Sequence, residues 1–496
     1  MHPSRAGASV APFIVTPAWE PMSTLFIDRR NEWAAWTPAG YYNASVDGDE
    51  LFGFQINPAT RGGDPQFLRA EQLREDFERP DLMQQLFALG SFDAAAKSVA
   101  LTTKNPGAIV AQMPRVQINA PASMTSFPPG TEVAISVDVN YQGRPADEFR
   151  IEAWVNGSKL GAPASSVVAG VGRQTWTITP TPGEYQALVK VTSLGPTLTA
   201  GLYSDAQMPF VVSGQPQVRT IHVLAVGANN YQGDLRLNFC ISDASDFVKL
   251  IGDSEGAHYK LGLVKLVVDD ASAAADRFEK SAFQKELSAF ASQIKQTKLQ
   301  SHDIVMIFVA GHGEVVGKEY YFVPPIAEIK NLSQLAVIQR HSIPWSAFRG
   351  FVEEIPSCGK AFFLDTCYSG NIAGLESEKA KLRPLKNLNT VVFAATTGDQ
   401  AAREDIQTKH GRFTTFLLEG LGGQADGSSV NPHLAGLPPA EPDGRVSLLE
   451  TMGYVSRRVY EKWRDQQPKY SPVSLIRFLN DPIIDVRTPT PSQEEK

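Results

Sequence analysis

Ile304-Val305-Met306-Ile307-Phe308-Val309 runs into Ala310-Gly311-His312-Gly313, and Ala361-Phe362-Phe363-Leu364 runs into Asp365-Thr366-Cys367-Tyr368-Ser369-Gly370. Continuous apolar runs of this length read as strands buried on both faces of a sheet. Val391 to Ala395 has the same character, Ile221 to Val226 is an apolar strand, and Val264 to Val268 reads as a further strand. Between and after them lie helical patterns at Asp243 to Ile251, Ala282 to Lys298, Phe413 to Leu421 and Val446 to Trp463. In the second of these, Phe283, Leu287, Phe290 and Ile294 form one stripe. Buried strands alternating with helices predict an α/β fold, a sheet sandwiched between helices. Ligands of such sheets bind outside the carboxyl ends of the strands. Two of those ends carry His312 and Cys367.

A lone cysteine after a strand is usually a small buried hydrophobe, and Cys240 and Cys358 fit that description. A Gly-His-Gly turn is, taken alone, only a tight loop. The pair is more informative, because a thiol needs a neighbouring imidazole to form the thiolate and to protonate the leaving amine. Small residues around both allow a peptide carbonyl to approach, with the N–H groups of Gly313 and Cys367 placed to hold an oxyanion. A zinc site is the competing use of Cys and His, but no second pair stands at ligand spacing. No metal is expected.

On these motifs, residues from about Ile221 to Val486 resemble a caspase-fold cysteine peptidase (peptidase C14), in the metacaspase and bacterial orthocaspase branch. Gly311-His312-Gly313 is similar to the family's histidine motif, and Asp365 to Gly370 to its D-x-C-x-S-G nucleophile motif. His312 lies 55 positions before Cys367, where caspases keep about 50. Caspases proper carry Gln-Ala-Cys, absent here, and Tyr368 replaces the histidine common in metacaspases. Ala394 to Gln400 and His410-Gly411-Arg412-Phe413-Thr414 also resemble bacterial caspase-like proteins.

The resemblance implies a Cys367–His312 dyad that cuts proteins after Arg or Lys. It implies an acidic pocket for that basic residue, with Asp243 from Cys240-Ile241-Ser242-Asp243 and Asp365 two residues before the nucleophile. Two carboxylates in a narrow cleft suit a guanidinium, although Asp243 also reads as a helix N-cap. Ala310 stands where the family tends to have serine, so one pocket hydrogen bond is missing. The segment from Asn371 to Leu388 is mixed in charge and small residues, which reads as a solvated loop. In the family it is the linker cut on activation of a zymogen, with Lys379, Lys381, Arg383 and Lys386 as processing candidates. No cofactor is expected; calcium serves some relatives, but there is no EF-hand-like loop and Asp269-Asp270 is too thin a signal. The alternatives are a catalytically inactive caspase-like scaffold and a peptide ligase or transpeptidase using the same acyl-enzyme.

Upstream the pattern changes. Between Val116 and Val212 short alternating strands recur, among them Val133, Ile135, Val137 and Val139 on one face, and Asn156-Gly157 is a two-residue hairpin signal. About seven such strands predict an all-β immunoglobulin-like sandwich, with Trp154 and Trp176 as core aromatics. The aromatic-rich stretch before it has strands at Phe26-Ile27 and Glu32 to Trp36 and a helix from Ala70 to Phe87 broken at Pro80. It has too little strand to stand alone, and it resembles the tail of a β-propeller region that precedes caspase-like domains in some bacterial proteins. The expected organisation is an N-terminal β/α segment over 1–110, the sandwich over 111–214, the peptidase domain over 218–488 and a tail over 489–496. A regulatory partner or activating protease is expected to use the first two.

Composition sets the outer limits. The 496 residues are too many for one ordinary domain, and 43% hydrophobic against 20% charged excludes disorder as the theme. A net charge of −7 argues against a nucleic-acid binder. No stretch reaches the ~18 apolar residues of a membrane span, and the apolar run before Pro12 is a poor signal peptide. Three cysteines are too few for a disulfide framework, which fits a cytoplasmic protein.

Overall fold

Along the strand Ile304–Val316, Val305, Ile307 and Val309 face one hydrophobic core, and Ile304, Met306, Phe308 and Ala310 face a second; all seven are buried. That alternation makes the strand the centre of a two-sided sheet. The computed structural model describes residues 21–27, 33–45, 48–57, 65–156, 158–168, 171–214, 218–256, 259–269, 278–297, 299–300, 302–316, 319–355, 358–367, 389–396, 401–428, 442–471 and 482–485. Across the sheet the strands run Tyr259–Val268, Arg219–Gly227, Ile304–Val316, Gly359–Thr366, Thr390–Ala394 and Lys469–Ser471. The first five are parallel and the last is antiparallel.

Helices cover both faces. Lys280–Gln296 and Trp345–Glu354 close one core with Phe283, Leu287, Phe290, Ile294, Phe348 and Phe351. Cys240–Asp253, Arg412–Glu419 and Leu448–Lys462 close the other with Phe247, Ile251, Phe413, Leu417, Met452 and Val455. The strand order reverses direction between Arg219–Gly227 and Ile304–Val316. At such a switch point the connections diverge to opposite faces and leave a crevice at the carboxyl ends.

The histidine does not follow the end of its strand, because the strand continues to Val316 and folds back as a hairpin on Glu319–Val323. The apolar run ends at Val309 because the chain leaves the two-sided core, while its backbone goes on pairing.

Upstream, a five-stranded sheet (Ser158–Lys159, Phe149–Val155, Gly183–Ser193, Tyr203–Val212, Thr125–Phe127) shares one core with a four-stranded sheet (Ala164–Val168, Val171–Ile178, Val133–Asn140, Arg115–Ala120). Val133, Ile135, Val137 and Val139 point inward as their alternation requires. Trp154 and Trp176 are buried, and Trp176 Nε1 donates to the Gly161 carbonyl at 2.9 Å. Val155 pairs with Ser158 across the Asn156 turn, where Asn156 has φ 47°, as a tight hairpin demands. Residues before the sandwich join its core. Leu73, Phe77, Leu82 and Leu86 belong to it, and Pro80 opens the helix Pro80–Leu89. Arg69 pairs with Asp205 of the sandwich at 2.6 Å. No helix among the described residues is long and apolar enough to cross a membrane.

Phe308 is fully buried and stacks on Phe247 at 5.0 Å between ring centroids. Phe308→Ala should cost about 3–5 kcal/mol through lost burial and the cavity left behind. The change is read as a lower urea midpoint for the α/β unit, and an unchanged midpoint would contradict this packing.

Candidate active site

The parallel register between the two central strands ends at Gly311 opposite Thr366. The next residues are His312 and Cys367, on neighbouring strands spaced about 4.8 Å apart. At that point the histidine strand changes partner, and His312 pairs with Val323 of the hairpin. A methyl group at Gly313 would lie 2.5 Å from the Cys367 carbonyl oxygen and 2.7 Å from Tyr320 Oη, so the approach requires glycine. Tyr320 Oη also bonds Thr366 Oγ1 at 2.5 Å and ties the hairpin to the end of the cysteine strand. His312 and Cys367 then line one cleft of about 560 Å³, with Glu314, Leu332, Ser333, Leu335 and Ala401.

The imidazole is held from three directions. Its Nε2 lies 2.7 Å from the Leu235 carbonyl, which can only accept, so Nε2 carries the proton. The His312 N–H donates to Tyr231 Oη at 3.0 Å, and Tyr231 Oη donates to the Val323 carbonyl at 2.9 Å. The Tyr231 ring meets the imidazole edge-on at 4.5 Å. Burial lowers the pKa of His312, against the Leu235 carbonyl and the Glu404 charge, which raise it. A neutral ring protonated at Nε2 leaves Nδ1 with a lone pair, as a base requires. Cys367 Sγ donates to the Ala402 carbonyl at 3.6 Å. Burial pushes its thiol up to about 11, with Asp365 and Glu314 adding to the rise. The resting pair is therefore thiol and neutral imidazole, not an ion pair.

The second cluster lies at the same sheet edge. Asp365 stands opposite Ala310, one position before the partner exchange. Its Oδ2 accepts from Thr414 Oγ1 at 2.6 Å and Thr414 N at 3.2 Å. Burial first, and then the Asp243 charge, raise its pKa to about 7. Asp243 is also buried, but it does not cap its helix. It lies inside the first turn of Cys240–Asp253, and its oxygens accept from His410 Nδ1 at 2.5 Å and Gly411 N at 3.0 Å. Just before the helix, Glu404 accepts from Asn238 N at 2.8 Å and Phe239 N at 2.7 Å, and inside its first turn Asn229 Oδ1 accepts from Ile241 N at 3.2 Å. Cys240, buried at the helix start, has its carbonyl against Gly227. Burial holds its thiol protonated.

The structure thus brings His312, Gly313 and Cys367 to one point, and Cys240, Asp243 and Asp365 to another beside it. Tyr368, Ser369 and Gly370, and the processing candidates Lys379, Lys381, Arg383 and Lys386, lie outside the described residues. Glu314, Tyr231, Tyr320 and Glu404 were not singled out from sequence. Strand alternation would have found Glu314, which is two residues past His312 and so on its face. The other three act through contacts with residues 46 or more positions away and carry no local signal. Among the described residues, no group of three or more His, Cys, Asp and Glu is arranged to hold a metal ion.

A doubly covered parallel sheet with a thiol and a neutral imidazole at adjacent carboxyl ends is the arrangement of a caspase-type fold. The family model for the caspase domain, Peptidase C14, matches residues 220–479, and the chain belongs to that family. No curated protein matches the chain. Solved structures similar to parts of it include the fibronectin(III)-like modules of Clostridium thermocellum CbhA, at 18% identity. That match covers 20% of this chain and 94% of that one, with a TM-score of 0.15. Chaetomium thermophilum Raptor is 12% identical over 53% of this chain and 27% of its own, with a TM-score of 0.29. The chain thus spans about a quarter of Raptor's length. Tandem Ig repeats of Dlar match at 10% identity over 24% of this chain and 59% of that one, with a TM-score of 0.13.

Two outcomes follow from the electrostatics. Alkylation of Cys367 by iodoacetamide should be slow at pH 7 and rise into the alkaline range. Glu314→Gln removes a negative charge that opposes the thiolate, so the midpoint should move to lower pH. An unmoved midpoint would remove Glu314 from the thiol's surroundings.

Asp365 holds its proton to about pH 7 when folded, against an unfolded value of about 4. Folding therefore loses stability as pH rises through that window. Asp365→Asn should gain relative to wild type as pH rises from 4 to 7 and then level off, in urea midpoints measured across pH. A constant difference would show that folding leaves the carboxyl's pKa at its unfolded value.

Proposed function

We propose that this protein is a metacaspase- or orthocaspase-type cysteine endopeptidase that cuts proteins after Arg or Lys. One observation carries the reading: Cys367 and His312 share a cleft, and the Leu235 carbonyl fixes the tautomer that leaves Nδ1 free to act as base. His312 Nδ1 takes the thiol proton as Sγ attacks the peptide carbonyl carbon, and the carbonyl electron pair moves to oxygen. The N–H groups of Gly313 and Cys367 hold that oxyanion. Its collapse expels the amine, which receives the proton from His312, and leaves an acyl-enzyme. Water, deprotonated by His312, attacks the thioester and releases the acid and the free thiol. A high resting thiol pKa suits this route, since the proton moves during attack and no standing thiolate is required.

Asp243 and Asp365, with Cys240 beside them, form the pocket for the basic residue before the cut. A substrate cation favours the ionised form of Asp365, which burial otherwise keeps protonated. The reaction needs no cofactor. The protein works in the cytoplasm as a zymogen, opened by cleavage at Lys379, Lys381, Arg383 or Lys386. The immunoglobulin-like sandwich and the segment before it serve regulation or recruitment.

The test is a fluorogenic peptide panel varied at the residue before the cut, with and without calcium, on wild type, Cys367→Ala and His312→Ala. Arg and Lys peptides should lead. Either substitution should abolish turnover, and the double variant should be barely worse than either single one, since the two residues act as a unit. Near-normal activity in Cys367→Ala would overturn the assignment. A ligated product on adding an amine nucleophile would turn it toward transpeptidation.

A further inference from the structure

The acidic pair is already occupied. His410 Nδ1 lies 2.5 Å from Asp243 Oδ1, and its Nε2 lies 3.8 Å from Asp246 Oδ2. The next residue fills the space between the two carboxylates. A methyl group on Gly411 would sit 2.1 Å from Asp365 Oδ2 and 3.3 Å from Asp243 Oδ2. His410 and Gly411 form one arm of a two-stranded ribbon, His410–Gly411 against Glu404–Asp405. Glu404, on the other arm, anchors that ribbon to the start of helix Cys240–Asp253. The imidazole therefore stands where a guanidinium would be sought, on a ribbon fixed at its far strand. Its side chain remains 22% exposed, so it has room to turn outward.

We propose that His410 is a specificity-determining residue: its imidazolium holds Asp243 until an Arg or Lys side chain displaces it, and the displaced ring releases its proton. This rests on the reading of Asp243 and Asp365 as the pocket for basic residues. Exchange is confined to Asp243 Oδ1, because Oδ2 keeps the Gly411 N–H. The charged groups around His410 are Asp243 and Asp246 of the helix, Asp365 of the cysteine strand, and Glu404 and Asp405 of the ribbon. Asp405 is itself paired with Lys462 at 3.3 Å. The hydrogen bond to Asp243 leads the causes that raise the pKa of His410, and Asp246 and Asp365 reinforce it. Below that raised value the ring is charged and competes with the substrate. Above it the ring is neutral and yields Asp243 easily. Selection for basic residues over neutral ones should therefore strengthen with rising pH. Ionisation of Asp365 near pH 7 adds to the same trend, so the part due to His410 is what His410→Gln removes. Any titration of His312 acts on both substrate classes alike.

The experiment titrates full-length Cys367→Ala, which cannot turn substrate over, with an acetylated peptide amide ending in Arg and its norleucine counterpart. Calorimetry in two buffers of different ionisation enthalpy reads the protons released. In a Cys367→Ala/His410→Gln double variant, the Arg peptide should bind about tenfold tighter at pH 6, the scale of one charge-assisted hydrogen bond. The gain should vanish by pH 9, the double variant should release up to one proton fewer, and the norleucine peptide should not distinguish the two. Arg binding seen only in the double variant also supports the proposal. An Arg preference with equal affinity and equal proton release in both proteins overturns it while leaving the acidic pocket in place. No Arg preference in either protein overturns the pocket and the proposal together. If His410→Gln fails to fold, Asp246→Asn at its exposed site serves instead. With one carboxylate fewer facing His410, Arg binding should strengthen at lower pH than in Cys367→Ala alone, and an unshifted pH dependence overturns the proposal.

Discussion

Gly311 pairs in parallel with Thr366, and one residue later His312 pairs in antiparallel with Val323. This exchange of partner positions the rest of the site. A parallel sheet edge would carry its strands away into separate loops, each free to wander. Here the hairpin keeps the histidine strand straight past the sheet edge, while the cysteine strand stops beside it. The two reactive side chains are then set by backbone hydrogen bonds of the sheet. Tyr320 and Tyr231 secure the fork, the first to Thr366 and the second to the backbone of His312 and Val323. Glycine at position 313 lets the Cys367 carbonyl lie against the turn.

Burial then governs the chemistry. Low polarity keeps the thiol protonated and the imidazole neutral near neutral pH, and holds the proton on Asp365 up to about pH 7. Each group rests in the form that is cheapest to bury, and each has a carbonyl, hydroxyl or amide partner. In the proposed reaction, charge appears when a substrate brings it, as a developing oxyanion beside Cys367 or a cation at the carboxylates. The exception is the Asp243–His410 pair. There the protein supplies the counter-charge itself, because a lone carboxylate buried in the first turn of a helix, with Glu404 adding a like charge, would be costly without one.

The two clusters are coupled through shared elements. Asp365 and Cys367 are two residues apart at the end of one strand, so a shift of Asp365 moves Cys367 as well. Glu404 raises the pKa of His312, Asp243 and Asp365 together, and also fixes the ribbon that carries His410. The upstream sandwich has a core of its own, which also takes in the helices before it.

What the sequence alone determined is what repeats at short range. Apolar runs marked the buried strands, a stripe in the helix Lys280–Gln296 marked its inner face, and alternation at Val133 to Val139 marked the sandwich. The histidine and cysteine motifs were legible because a histidine or cysteine among small residues just past an apolar run is unusual locally. The roles of Leu235, Tyr231, Tyr320, Glu404 and His410 were not, because they depend on contacts 46 to 167 positions apart. Asp243 shows the difference most clearly. Its place in the first turn of a helix suggested an N-cap, and only the fold brings Glu404 to that end and leaves Asp243 to His410. A hydrogen bond to a backbone carbonyl, or to a charge on a distant ribbon, has no period in the sequence. The path of the chain in three dimensions decides it.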